Sequence, residues 1–241
     1  AAQYLQEHAL RYYPGSTPAG GRAFGVFLFL RGPLHETVRL TLGNAAGAPR
    51  VVTVTRGERQ RDGSPFRFRI RDASPSLETR RLAGGIVYLK LATFGDEALP
   101  AAFDSTLDRL DPARVGGMIL DVRYNMGGSD NNAYPLVARL VEQPVLGSTW
   151  RTREYRPAFA SWGQPETFYQ GDTARIEPSE RPHYRGPLVV LIGPNTLSTA
   201  EDFLVPLDFA GRALFVGEPT AGSTGNPVNV RLPGGGLLRV C

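Results

Sequence analysis

Residues 117–131 read Gly117-Met118-Ile119-Leu120-Asp121-Val122-Arg123-Tyr124-Asn125-Met126-Gly127-Gly128-Ser129-Asp130-Asn131, an apolar run followed by a polar loop with paired glycines. An apolar run that ends at Asp121 has the length of a buried strand, and the paired glycines behind it let the chain turn sharply. An apparent helix follows from about Asn132 to Glu142. Upstream, Ile86–Leu91 (IVYLKL) reads as a strand. Leu99, Phe103, Leu107 and Leu110 then recur at spacings of four, four and three, the stripe of an amphipathic helix. Downstream, residues 187–193 (PLVVLIG) form a strand, a helix opens near Ser198, and residues 213–217 (ALFVG) form a further strand. Strand–helix–strand repeats with short connections predict an α/β layer with a mainly parallel sheet. Its functional loops then lie at the C-terminal ends of the strands.

The first fifty-odd residues form a smaller unit. Ala2, Leu5, Ala9 and Tyr12 fall on one helical face, and Pro14–Gly15 stops that helix. Residues 24–30 (FGVFLFL) are apolar throughout, so periodicity leaves buried helix and strand both open. Val38, Leu40 and Leu42 alternate with Arg39 and Thr41. A Gly47-Ala48-Pro49 turn and the strand from Val51 to Arg56 complete a hairpin. The division read here is 1–56 for this unit, 57–83 for a polar, Arg-rich connector, and 84–241 for the α/β core. Residues 144–186 lack a clear period but hold Trp150, Tyr155, Phe159, Trp162, Phe168 and Tyr169, which fits a lid or binding segment or a set of short strands.

Composition removes whole classes. With 241 residues, 41% hydrophobic and 21% charged, the chain is globular, of one or two domains. Its 27 basic and 23 acidic residues leave a net charge of only +4, and no run of five basic residues occurs. Scattered surface arginines explain that balance better than nucleic-acid binding does. The only lysine is Lys90, so any Schiff base, P-loop lysine or Ser–Lys dyad would have to use it. Cys241 is the single cysteine, which leaves no internal disulfide and no Cys-based zinc site. His8, His35 and His183 lie far apart, no HExxH or EF-hand pattern appears, and no metal or cofactor is expected. No apolar run reaches the ~18–20 residues of a membrane span. The chain opens directly in an apparent helix and closes within the apparent strand GLLRVC, so a fragment or processed product is expected.

Two loops at the expected functional edge carry chemistry. In Asp121–Gly128 the glycines can present bare N–H groups as an oxyanion site requires, or can simply make a turn. In Gly193-Pro194-Asn195-Thr196-Leu197-Ser198-Thr199-Ala200-Glu201, Ser198 stands between a strand end and a helix start, where a nucleophile would sit. The same Ser198-x-x-Glu201 spacing is also a capping box, with Ser198 as N-cap and Glu201 at N3.

The order of these segments, a strand ending in D-x-R-x-N-x-G-G, then N-T-x-S-x-A-E, then G-R-A-x-x-V-G-E-x-T-x-G at Gly211–Gly222, resembles the C-terminal processing (tail-specific) peptidase family. The resemblance implies a crotonase/ClpP-like peptidase core preceded by part of a PDZ-like unit, which binds peptide C-termini. It implies Ser198 as acylating nucleophile. The backbone N–H groups of Thr199 and of Gly127 or Gly128 form the implied oxyanion hole. Glu201 matches a family position and is read as a structural cap.

This sequence departs from the family at the base. Better-known bacterial members place a lysine after G-E-x-T-x-G, and Ser223 stands there instead. Lys90 lies mid-strand. The other branch, similar to the tricorn core peptidase, uses a Ser–His pair aided by further Ser and Glu residues, so a histidine outside this chain is the expected base. His183 precedes the strand that Ser198 follows, which sets them about 20 Å apart.

The expected function is a serine endopeptidase cleaving unfolded or C-terminal polypeptide segments, bound partly as an added strand. Alternatives are a non-catalytic relative that binds peptide or a hydrophobic ligand in the same cleft, and an acyl-thioester enzyme recognisable by coenzyme A binding. The resemblance also implies export to the bacterial periplasm or envelope, or secretion.

Overall fold

The computed structural model describes residues 7, 10, 16–28, 33, 35–43, 47–56, 75–110, 115–233 and 237–240. Two compact units divide the chain at residues 1–73 and 74–241. In the first, helix α1 (Pro18–Leu28) settles the ambiguous apolar run in favour of helix over its described part. Pro18 opens it, where a missing N–H is harmless, and Thr17 Oγ1 accepts the N–H of Gly20 at 3.0 Å. Strands β1 (Thr37–Leu42) and β2 (Arg50–Thr55) pair antiparallel from Thr37 opposite Thr55 to Leu42 opposite Arg50, the hairpin read from the sequence. The expected helix of Ala2, Leu5, Ala9 and Tyr12, together with His8, lies outside the described residues.

The second unit is an α/β layer. Its strands are β3 (Leu77–Arg81), β4 (Ile86–Leu91) and, after helix α2 (Leu99–Asp108), β5 (Gly117–Asp121). Helix α3 (Asp130–Ala138) leads to β6 (Val145–Leu146), β7 (Arg151–Glu154), the short helix α4 (Pro157–Ser161), β8 (Thr167–Gln170) and β9 (Arg175–Ile176). Then come β10 (Leu188–Ile192), helix α5 (Thr199–Phe209), β11 (Leu214–Gly217), β12 (Val228–Arg231) and β13 (Leu237–Val240). The central sheet runs β11-β10-β5-β4-β3. Strands β4, β5, β10 and β11 are parallel to one another, and β3 is antiparallel to β4.

The pleat of β4 explains the layering. Val87, Leu89 and Leu91 point to a face covered by helices, packed with Leu99 and Phe103 of α2, Leu136 and Val137 of α3, and Phe203 and Leu207 of α5. Tyr88 and Lys90 point to the other face, where Lys90 Nζ binds Glu78 Oε1 of β3 at 2.9 Å. Burying full-sized apolar side chains of this kind is worth about 1.5–3 kcal/mol each, so the helix-covered face holds the unit together.

Two stretches differ from the sequence reading. The connector read over 57–83 contributes β3, an edge strand whose LETRR sequence has no apolar alternation to announce it. The aperiodic stretch 144–186 contains four strands. β6 and β9 pair antiparallel, and beyond them β7 and β8 pair antiparallel with α4 near the tip, forming an arm. Among the described residues no helix is long and apolar enough to cross a membrane.

Candidate active site

The C-terminal ends of β4, β5, β10 and β11 gather at one sheet edge, and hydrogen bonds lock their loops together. Fully buried Asn125 is the hub. Its amide donates to Leu91 O at the end of β4 (3.1 Å), and its Oδ1 accepts the N–H of Gly127 (2.9 Å). Its carbonyl accepts the N–H of Leu197, in the loop after β10, at 3.2 Å. Thr196, equally buried, donates its hydroxyl to Val122 O at 2.8 Å and accepts the N–H of Gly193. The N–H of Ala221, in the loop after β11, reaches Thr196 O at 3.0 Å. Asn125 and Thr196 stand inside the two motifs, yet the sequence reading gave them no role. Their polar side chains at a strand-end glycine turn were the available signal.

Ser198 occupies the position before the first turn of α5 with φ 57° and ψ −134°. A left-handed φ is strained for a residue with a Cβ and persists where surrounding bonds over-determine it. Those bonds are present. The N–H of Ser198 donates to Ser223 O at 2.8 Å, and its carbonyl accepts the N–H of Glu201 at 2.7 Å. The capping-box reading fails on both counts. The Ser198 side chain makes no capping bond. The Glu201 carboxylate turns away from Ser198 and accepts the N–H groups of Gly222 (2.7 Å) and Ser223 (2.8 Å). Glu201 thus clamps the loop from which the Ser198 backbone hangs.

The glycines lie against this serine. A Cβ on Gly127 would sit 2.7 Å from Ser198 Cβ and 3.0 Å from Thr199 N, and Gly127 has φ 94°. A Cβ on Gly128, φ 151°, would strike the Phe94–Gly95 backbone at 2.1–2.5 Å. The two glycine N–H groups differ in availability, since that of Gly127 is taken by Asn125. Among the described residues, the N–H groups of Gly128 and Thr199 make no hydrogen bond. Gly127 therefore supplies close approach, while Gly128 and Thr199 supply free donors. The Ser198 hydroxyl likewise has no hydrogen-bond partner among the described residues.

Asp121, at the end of β5, and Arg123, in the loop after it, are paired. Asp121 accepts the Tyr88 hydroxyl at 2.6 Å and the Arg123 guanidinium at 2.7 and 3.0 Å. Burial pushes the Asp121 carboxyl up, but these bonds outweigh it and hold the group below the ordinary carboxylate range. Burial, and then the carboxylate, push the Tyr88 hydroxyl up to about 12. Neither group serves as a base near neutrality. Lys90 is committed to Glu78 on the sheet face. His183 comes before the first residue of β10 and Ser198 after its last. Five extended residues, about 17 Å, separate the two ends of that strand. His183 instead lines a cavity with Leu107, Arg139 and Tyr184, its Nε2 buried without a partner among the described residues. Among the described residues no three metal-ligating side chains cluster.

The sequence profile of the family described as Peptidase family S41 matches residues 85–241. Mature CPAF superposes with a TM-score of 0.65 at 16% identity, over 93% of this chain and 62% of that one. Its lactacystin complex gives a TM-score of 0.61 at 16% identity, over 89% and 61%. The photosystem II D1 C-terminal processing protease gives 0.51 at 21% identity, over 90% and 53%. These likenesses establish the fold. The chain spans between about half and three-fifths of the length of the structures it matches.

Proposed function

The chain belongs to peptidase family S41, and from that premise we propose that it is a serine endopeptidase that cleaves unfolded or C-terminal segments of polypeptide through an acyl-enzyme on Ser198. One observation carries the proposal. A strained serine with an unengaged hydroxyl lies beside two unpaired N–H donors, at the sheet edge where α/β folds bind ligands.

In this reading the Ser198 Oγ attacks the scissile carbonyl carbon as its proton passes to a base. The carbonyl oxygen becomes an oxyanion that takes hydrogen bonds from the N–H groups of Thr199 and Gly128, each worth about 10²–10³ in rate. Collapse expels the amine, which receives the proton, and leaves an ester on Ser198. Water then attacks the ester and releases the new C-terminus.

The base is a histidine supplied from outside this chain. Ser223 stands beside Ser198, but a hydroxyl is too weak a base, and Lys90 is held by Glu78. The hairpin of the first unit is read as part of a PDZ-like unit that receives peptide C-termini. Action in the bacterial envelope or outside the cell belongs to the same proposal.

Fluorophosphonate labelling of the full-length gene product tests the nucleophile. Covalent labelling that disappears in Ser198→Ala is the expected result. Absence of labelling, or labelling that survives the substitution, overturns the reading. The replacement of the family's lysine by Ser223 favours a second reading, a non-catalytic relative that binds peptide or an apolar ligand in the same cleft. That reading predicts binding without labelling.

A further inference from the structure

The arm formed by β7, α4 and β8 is a poor candidate for packing material. Every residue from Tyr155 to Gln170 is exposed, including Tyr155 at 75%, Trp162 at 69% and Tyr169 at 57%. A two-stranded ribbon is marginal in water by itself, and both outer edges of this one leave their N–H and C=O groups unpaired among the described residues.

The root of the arm is held in a definite way. Trp150 packs on the Gly171 backbone so closely that a Cβ there would meet the indole at 2.2 Å, and the N–H of Gly171 donates to Trp150 O at 3.1 Å. Trp150 also packs against Tyr169, ring centroids 5.6 Å apart. The strand register puts Trp150, Thr152 and Tyr169 on one face of the ribbon, and Arg151, Arg153 and Phe168 on the other. Arg153 and Arg156 have carboxylate partners within the arm, whereas among the described residues Arg151 has the Phe168 ring at 4.9 Å and no carboxylate.

The root is also close to Ser198. Ser148 Oγ donates to Asp202 Oδ1 at 2.5 Å. Asp202 is one helical turn, about 6 Å, beyond Ser198. Trp150 is two extended residues, about 7 Å, beyond Ser148. Together these place the aromatic root within about 20 Å of the serine, the span of roughly six extended residues.

Resting on the peptidase reading above, we propose that the arm is a specificity element. Its root receives an extended stretch of the polypeptide substrate that carries large apolar side chains within about six residues of the cleaved bond. The stretch adds as a third strand to the ribbon and packs its apolar groups on Trp150 and Tyr169. An acidic side chain of the stretch pairs with Arg151.

The two tryptophans of the sequence, Trp150 and Trp162, both lie on the arm, so indole fluorescence reports its occupancy directly. The chain carrying Ser198→Gly, a substitution that tolerates φ 57°, is titrated with two synthetic peptides of equal length. One alternates Leu and Phe with Glu, and the other has Ser in place of every Leu and Phe. A saturable blue shift with the first peptide alone is expected. Tyr169→Ala weakens that binding about tenfold, the scale of one lost aromatic contact. Arg151→Ala reduces its dependence on salt.

A titration with no shift, or with equal shifts from both peptides, overturns the proposal. So does a shift seen only with anionic phospholipid vesicles, which makes the arm a membrane anchor, or one that follows protein concentration alone, which makes it a self-association surface. Failure here with successful fluorophosphonate labelling removes only this inference. Failed labelling with a selective blue shift removes the peptidase chemistry and leaves a peptide-binding arm.

Discussion

Glu201 supports Ser198 without touching its hydroxyl. Its carboxylate accepts two N–H groups from Gly222 and Ser223, and the Ser223 carbonyl accepts the N–H that fixes the Ser198 backbone. Glu201→Ala leaves both N–H groups without their acceptor; the bonds are only part-buried, so the cost is about 1 kcal/mol, the low end of the range for a lost acceptor. Urea unfolding should show that loss. Fluorophosphonate labelling of Ser198 should slow by about tenfold or more, because the strained φ is no longer enforced. Glu201→Gln keeps one acceptor oxygen and falls between the two. Labelling at the unaltered rate in Glu201→Ala shows that the clamp does not position the serine. The S-x-x-E spacing located both residues in the sequence but pointed to the wrong bonds, because a capping box and a loop clamp use identical residue types. Only the path of the chain after β11 separates them. Choosing between Gly127 and Gly128 likewise depended on the Asn125 side chain, which no local pattern aims at Gly127.

At the scale of elements, strongly periodic segments were legible. β4, α2, β5, β10 and β11 all appear where stripe or apolar run placed them, to within a few residues, and α5 opens beside Ser198 as expected. β3 was hidden because an edge strand with one polar face and one paired edge needs no apolar period. β6 and β9 are two residues each, too short for a period to exist. The contact of β6 with α5 nevertheless matters, since the Ser148–Asp202 bond just beyond it joins the arm to the helix that follows Ser198. Burial pushes the Asp202 carboxyl above its ordinary range. The Ser148 hydroxyl pulls it down, and the neighbouring charges of Asp130 and Glu201 add to the upward push. A carboxyl raised on folding favours its protonated form in the folded state. Its cost is therefore absent below the ordinary carboxylate range and grows as pH rises through the raised value. Asp202→Asn, which keeps an acceptor for Ser148, should be more stable than the parent at pH 7, and the gain should vanish at about pH 3. Thermal unfolding across that range checks it. An equal gain at both ends shows that charge on Asp202 is not the cause.

For the whole molecule, the distribution of core residues is uneven. Among the described residues, every buried hydrophobic side chain except Ala19 belongs to residues 74–241. That unit closes its own sheet, covers one face with α2, α3 and α5, and holds all three loops that meet at Ser198. Buried apolar area, not surface charge, is what makes such a unit fold. The exposed guanidinium–carboxylate pairs, such as Arg175–Glu177, add at most about 1 kcal/mol each. A chain containing only residues 74–241 should therefore unfold in one cooperative transition, with a urea slope of about 1–3 kcal/mol/M and the same slope from circular dichroism and from arm tryptophan fluorescence. Coincidence of the two probes is the informative part, because Trp150 and Trp162 sit on the exposed arm while circular dichroism follows the sheet and helices. If fluorescence changes first, the arm melts as a separate unit and its root is not anchored through Ser148 and Asp202. If neither probe shows a transition, residues 1–73 supply packing that the core of the second unit requires. The division of the chain then lies elsewhere than residue 73.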